Sequence, residues 1–336
     1  MLYNFCIVST GGNYMKKVKI GLLGFGNVGG GTYKILTDNR EIIQQRIGAS
    51  PEITRILQRN RKKKRLVEAD PALLTEDPDD IIKDPDIDIV VEMLGGIEPA
   101  TSFMVQAMKH GKHVVSANKA AIAANYDLLT ETAAENNVEF LFEASVAGGI
   151  PVLTAITGAL ASNNFVEVMG ILNGTTNYIL TKMTDEGLSY DEVLKDAQAK
   201  GFAEADPTAD VEGIDAANKL SILIALAFDR YIAPGDIPTT GITAITAKDI
   251  EEAAAQGKKI KLIGRASVAD GKLSYQVKPV LLDITHPLAG VSNEFNAVYI
   301  TGDMVGELMF YGRGAGPLPT GSAVCGDILA IMKKRF

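Results

Sequence analysis

The chain has 336 residues, 46% of them hydrophobic and 22% charged, a balance that fits a soluble globular protein with room for two domains and a sizeable core. Its formal net charge of −8 argues against a general nucleic-acid binder, and no apolar run reaches membrane-spanning length. The two cysteines, Cys6 and Cys325, stand near opposite ends, which excludes a disulfide framework and a Cys-rich metal site and fits a reducing cytoplasm.

The first residues are apolar and Gly-rich but carry no basic n-region, so a signal peptide is not expected, and residues 1–16 read as an extension without an assigned role. Val18-Lys19-Ile20-Gly21-Leu22-Leu23 reads as a buried strand running into Gly24-Phe25-Gly26-Asn27-Val28-Gly29 and then a helix to about Leu36. That strand, glycine turn and helix is the context in which a GxGxxG match carries meaning. Gly24 permits the tight turn, Gly26 lets backbone approach a pyrophosphate, and Gly29 lets the helix pack on the strand. The helix N-terminus then presents free N–H groups to phosphate.

Residues 53–58 read as the second strand, which ends in Arg59-Asn60-Arg61-Lys62-Lys63-Lys64-Arg65 with no acid before Glu68. An acid there would hold ribose hydroxyls; a cationic end favours a 2′-phosphate, hence NADP, with NAD also admitted. Strands follow at 87–91, 113–116 and 138–142, with helices at 99–108 and from 119 to about 134. This βαβ rhythm predicts an α/β fold with a Rossmann-type doubly wound parallel sheet, whose ligands sit at the carboxyl ends of the strands. Gly95, Ser116 and Lys119 fall on that edge.

Glu143, at the end of a buried strand and followed by a Gly-rich loop, can be read as a helix-capping acid or as one carboxylate among carbonyls around a hard cation. An apolar helix is expected at 151–160 and a strand at 166–172, followed by Asn173-Gly174-Thr175-Thr176-Asn177 at a strand-to-helix junction, where backbone N–H groups can bind a substrate carboxylate. Helices at 178–185 and 190–200 lead into the densest run of charge. Glu204, Asp206, Asp210, Glu212 and Asp215 precede a single cation, Lys219, at the mouth of an apolar helical pattern. Asp215 and Lys219, four residues apart, share one helix face. Charge bunched where a segment looks buried marks a candidate active site. A helix at 248–256 and strands at 259–268, 273–280 and 296–301 make the second domain α+β, with a mostly antiparallel sheet and helices on one face. A second Gly-rich turn, 311–317, leads into an apolar helix that is expected to return to the first domain. The expected organisation is a nucleotide-binding domain over 17–145, a catalytic and dimerisation domain over 146–310, and a returning segment over 311–336. His110, His113 and His286 are scattered and read as structural, and neither cysteine lies in a catalytic setting.

Taken in order, the runs GFGNVG, SANKA, FEASVAGGIP, ILNGTTNYIL, GFAEADPTADVEGIDAANKL and NEFNAVYI…FYGRGAG resemble homoserine dehydrogenase, over Lys17 to the C-terminus. The resemblance implies NAD(P)H-dependent reduction of aspartate semialdehyde to homoserine, in the route to threonine, methionine and isoleucine, by a cytoplasmic enzyme that is commonly a homodimer. It makes Lys219 the proton donor and Lys119 the second active-site lysine. Glu204, Asp210 and Asp215 become substrate-binding acids, beside backbone at Gly174, Thr175 and Thr176. Gly24, Phe25, Gly26, Asn27, Val28, Ser116 and Gly316 match cofactor contacts, to which Gly29, Arg59, Gly95 and Lys119 are added by position. Glu143 with the carbonyls of Val146, Gly148 and Ile150 matches a sodium site. Many members continue into a regulatory ACT domain, whereas this sequence stops at Phe336, so threonine feedback through such a domain is not expected. The rival readings are a phosphorylating semialdehyde dehydrogenase, which needs a catalytic cysteine, and a nucleotide-sensing module that has lost its chemistry.

Overall fold

A computed structural model describes residues 16–58 and 65–336. The first domain is built from β1 (Lys16–Leu23), α1 (Asn27–Asp38), α2 (Arg40–Ile47), β2 (Ala49–Leu57), β3 (Leu74–Thr75), α3 (Asp79–Ile82), β4 (Ile89–Glu92), α4 (Ala100–Lys109), β5 (His113–Ser116), α5 (Lys119–Ala124), α6 (Tyr126–Glu135) and β6 (Phe140–Leu141). The six strands form one parallel sheet in the order β3-β2-β1-β4-β5-β6. The order reverses between β1 and β4, which opens a crevice at their carboxyl ends where a dinucleotide can lie. Both faces are apolar, as a parallel sheet requires. Ile20, Leu22, Ile89 and Val91 pack on one side, and Leu23, Val90 and Val114 on the other.

Several boundaries differ from the sequence reading. β2 starts at Ala49 rather than 53 and includes Pro51, which is tolerated because β3 pairs only with Ile56 and Leu57, leaving the rest of β2 an edge. The helix expected from 119 is two helices broken at Asn125, and the strand expected at 138–142 shrinks to two paired residues. β3 and α3 were not anticipated.

The second domain follows with α7 (Val152–Thr154), which continues as one π-helical turn (Ala155–Ala159), then β7 (Phe165–Ile171), α8 (Gly174–Glu186), α9 (Tyr190–Ala199), α10 (Thr208–Val211), α11 (Ile214–Phe228), α12 (Ala247–Ala255), β8 (Lys258–Ala269), β9 (Lys272–Asp283), β10 (Phe295–Gly302) and β11 (Gly306–Arg313). Its five strands are antiparallel throughout, ordered β11-β10-β7-β8-β9. Val168, Leu172, Leu262 and Val298 face α8 and α11, while Met169, Ile171, Ile263 and Tyr299 form a separate cluster on the opposite face. β11 was read as part of a turn; it is the edge strand, paired along its length with β10.

The last helix, α13 (Pro317–Arg335), lies back on the first domain, where Val324, Ile328 and Met332 join the core under β1. Glycines make that contact close. A Cβ on Gly31 of α1 would stand 2.0 Å from the Pro317 carbonyl oxygen, and one on Gly321 would meet Gly31 and Thr32 backbone at 2.7–2.8 Å.

Candidate active site

The acidic stretch folds as a turn, the short α10 and the first turn of α11, with Gly213 in the left-handed region (φ 82°) where the chain enters α11. Asp215 sits in that first turn, where the helix dipole favours an anion. One turn on, the Lys219 ammonium donates to Asp215 Oδ2 at 2.7 Å and to the Leu172 carbonyl just past β7 at 2.7 Å. Lys119, the first residue of α5 in the other domain, reaches across to Asp215 Oδ1 at 3.1 Å. The carboxylate thus bridges two lysines from two domains. Burial works against its charge, but the ammonium groups of Lys219 and Lys119 outweigh it and hold the carboxyl well below the usual range. For Lys219 burial is the larger effect and depresses its pKa, with Asp215 opposing it, whereas the Asp215 charge raises that of half-exposed Lys119.

Asn173 completes this cluster and was missed by the sequence reading. Its Nδ2 donates to Asp210 Oδ1 at 2.7 Å and Asp215 Oδ2 at 2.9 Å, while its Oδ1 caps α8 by accepting from the Thr176 amide at 2.8 Å. Thr175 Oγ1 donates to the Phe202 carbonyl and to Asp210 Oδ2. Burial pushes the Asp210 carboxyl up, against the pull of Asn173 and Thr175. Gly174, Thr175 and Thr176 therefore form the first turn of α8 rather than a loop before it, so their amides lie at a helix N-terminus. These groups line a cleft of about 680 Å³ together with Glu204, whose side chain is exposed. Arg313 and Glu294, paired at 2.9 Å, also line it and were likewise unforeseen. Asp206 accepts from Thr208 and Glu212 from Thr243; both are local structural contacts.

The same cleft runs to the glycine turn, where Asn27, Val28, Gly316 and Pro317 line it. Gly24 has φ 108° and no room for a Cβ, which would meet the Met93 carbonyl oxygen at 2.9 Å. Over Gly26 the space is open for 4 Å, and a Cβ on Gly29 would lie 2.4 Å from the Gly24 carbonyl oxygen. A phosphate approaching the α1 N-terminus at Gly26 fits this geometry. Phe25 turns its ring into the core against Tyr33, so only its backbone faces the turn. A smaller adjoining recess of about 250 Å³ is lined by Val28, Gly95, Asn118 and Lys119. Ser116 is fully buried beneath it, its hydroxyl engaged with Glu92. Arg59 and the basic residues 61–64 lie outside the described residues.

Glu143 is buried and caps α7, accepting from the Leu153 amide at 2.9 Å and the Thr154 amide at 2.6 Å. Its neighbours Ala147 and Gly148 both have φ 54°, and Ile150 O accepts from Val152. The three histidines make local contacts, with Gln106, Glu139 and Leu288. Burial pushes the Cys325 thiol up to about 12, which leaves it no nucleophilic role. Among the described residues no helix is long and apolar enough to cross a membrane.

Comparison with known proteins bears on this geometry. The family model described as homoserine dehydrogenase matches residues 151–329, and the one described as homoserine dehydrogenase, NAD binding domain, matches residues 24–143. Homoserine dehydrogenase of Bacillus subtilis (strain 168) is 46% identical over 319 residues, covering 95% of this chain and 74% of its own. The crystal structure of a homoserine dehydrogenase from Thiobacillus denitrificans superposes with a TM-score of 0.92 at 44% identity, covering 95% of this chain and 74% of that one. A hyperthermophilic archaeal homoserine dehydrogenase in complex with NADPH does so with a TM-score of 0.77 at 26% identity, covering 95% and 98%. With two matched domains that meet at a buried lysine, the chain belongs to the homoserine dehydrogenase family of nicotinamide-dependent oxidoreductases.

Proposed function

We propose that the cleft between the two sheets reduces the aldehyde of L-aspartate 4-semialdehyde to L-homoserine, with Lys219 as the proton donor. The observation that carries this assignment is the Lys219 ammonium, buried at the cleft wall and held by Asp215 and the Leu172 carbonyl. When bound, the nicotinamide supplies the hydride. As the aldehyde oxygen gains charge it needs a proton or a cation beside it, and Lys219 supplies the first. Lys119 adds the second cation and, with Asp215, ties the two domains together at the reacting centre. Glu204 and Asp210 hold the substrate ammonium, and the amides of Gly174, Thr175 and Thr176 hold its carboxylate.

Gly24, Gly26 and Gly29 form the pyrophosphate turn, with the backbone of Phe25, Asn27 and Val28 around it and Gly316 closing the cleft. Gly95, Ser116 and Lys119 frame the nicotinamide side, and Arg59 belongs to the adenosine side. The basic run at 61–65 supports NADP over NAD, as does the NADPH carried by the archaeal relative. Glu143 keeps unused lone pairs after its two amide contacts, so with the carbonyls of Val146, Gly148 and Ile150 it forms an oxygen-only set for sodium. The domains run over 17–145, 146–310 and 311–336. The enzyme acts as a homodimer in the cytoplasm, in the synthesis of threonine, methionine and isoleucine.

Lys219→Ala is expected to lower kcat about 10²–10⁴-fold while leaving the NADPH dissociation constant within a few-fold of wild type. NADPH absorbance with aspartate semialdehyde and a cofactor titration measure the two. Near wild-type turnover with intact cofactor binding would falsify the assignment.

A further inference from the structure

Glu92 ends β4 with none of its surface exposed, and among the described residues no ion pair includes it. A carboxylate in that position is costly to bury unless donors or a cation compensate it. Donors are present. Oε1 accepts from the Leu94 amide at 2.7 Å and from Asn118 Nδ2 at 3.4 Å, and Oε2 accepts from Ser116 Oγ at 2.7 Å. Burial pushes the carboxyl up, and these donors, with the Gly95 amide, pull it back. Most of them are N–H groups, which suit the ionised carboxylate.

These donors are also the walls of the small recess. Leu94, Gly95 and Asn118 line it, and Asn118 Nδ2 further donates to Gly96 O at 2.7 Å. The recess lies on the β4–β5 side of the switch point, opposite the adenosine side at β2, and opens beside Lys119. An anion is thus built under the subsite where the nicotinamide ring fits, and the protein supplies it no cation.

We propose that Glu92 uses the ligand as its cation: its charge favours the oxidised, positively charged nicotinamide over the reduced, neutral one. Loss of hydride turns a neutral ring into a cation, so the same charge assists hydride departure in the direction of aldehyde reduction. Glu92 is a positioning residue as well, since Ser116 and Asn118, which it holds, set the start of α5 and with it Lys119. The inference rests on the nicotinamide reading of this recess.

The test is titration of wild type, Glu92→Gln and Glu92→Asp with NADP⁺ and NADPH. Glu92→Gln keeps the shape and removes the charge. It is expected to weaken NADP⁺ binding about tenfold while NADPH stays within about twofold, the size of one screened charge–charge contact. Glu92→Asp keeps the charge, so its NADP⁺/NADPH affinity ratio should stay within about twofold of wild type even where both affinities fall. Equal weakening of the two forms in Glu92→Gln, no weakening of either, or a tenfold change of the ratio in Glu92→Asp overturns the proposal. The Asp variant keeps the question open to refutation where Gln does not yield folded protein. Failure of the nicotinamide reading looks different: wild type itself binds neither NADP⁺ nor NADPH.

Discussion

Lys219 is subject to two opposed influences, and their balance sets how the reaction responds to pH. Burial favours its neutral amine and Asp215 favours its ammonium, with burial the stronger. An unperturbed lysine titrates near 10.4, so Lys219 loses its proton below that value. Homoserine oxidation needs the neutral amine as acceptor, hence kcat for oxidation rises with pH to a midpoint below the ordinary lysine value, and kcat for reduction falls over the same range. Replacing Asp215 by Asn removes the anion that opposes burial and leaves Lys119 and Lys219 facing each other. The oxidation midpoint in Asp215→Asn should therefore move to lower pH than in wild type, as read from kcat profiles of the two proteins. A midpoint that stays put or rises would show that Asp215 does not set the proton affinity of Lys219. Asp215, Lys219 and Asp210 were legible in the sequence because they lie in one run at the mouth of an apolar helix. Asn173 lies 42 residues from Asp215, and its role exists only once β7 and α11 pack side by side. Glu92 and Asn118 were hidden for the same reason, although an acid ending an apolar strand was a visible anomaly.

At the scale of elements, long periodic segments were easiest to read. α1, α11 and the strands β1, β5, β7 and β10 stood out because their apolar period and their glycine or charge boundaries coincide. β11 did not, since an edge strand alternates exposed residues with half-buried ones and carries glycines at both ends. The start of α8 was placed too late because Gly174 is a poor helix former, yet Asn173 caps it and the Glu294 carbonyl oxygen packs so close that a Cβ there would meet it at 2.7 Å. The glycines of α1 make a sharper prediction. Gly31→Ala places a methyl group 2.0 Å from the Pro317 carbonyl oxygen, backbone that cannot turn aside, whereas Gly30→Ala meets only Leu66 Cβ at 3.3 Å. Gly31→Ala should destabilise the protein by about 2–3 kcal/mol, and Gly30→Ala by less than about 1 kcal/mol. Thermal unfolding of both variants decides it; equal melting temperatures would mean that the α1–α13 contact is looser than drawn.

Across the whole molecule, the second sheet is the surface left without a covering layer. Its inner face is buried under α8 and α11, but the outer face is roofed only in part, by the turn at Pro287–Gly290 that contributes Leu288. The register pairs Tyr299 with Met309 and Ala297 with Tyr311, so these β11 residues stand on that outer face. Met309 is 42% exposed and Tyr311 53%. Apolar side chains side by side on an open sheet face mark an association surface. The proposed homodimer is therefore expected to bury this face, where two copies would meet through the same patch. The chain mass is 35.8 kDa, so light scattering on the wild type at micromolar concentration should give about twice that mass. Met309→Lys combined with Tyr311→Glu introduces charges that a partner sheet would have to desolvate, at a cost of several kcal/mol, enough to dissociate an ordinary interface. The double variant should run at the monomer mass with its melting curve little changed, because neither side chain serves the core of its own chain. A wild type of monomer mass removes the dimer from the proposal, and a variant that stays dimeric removes this face from it.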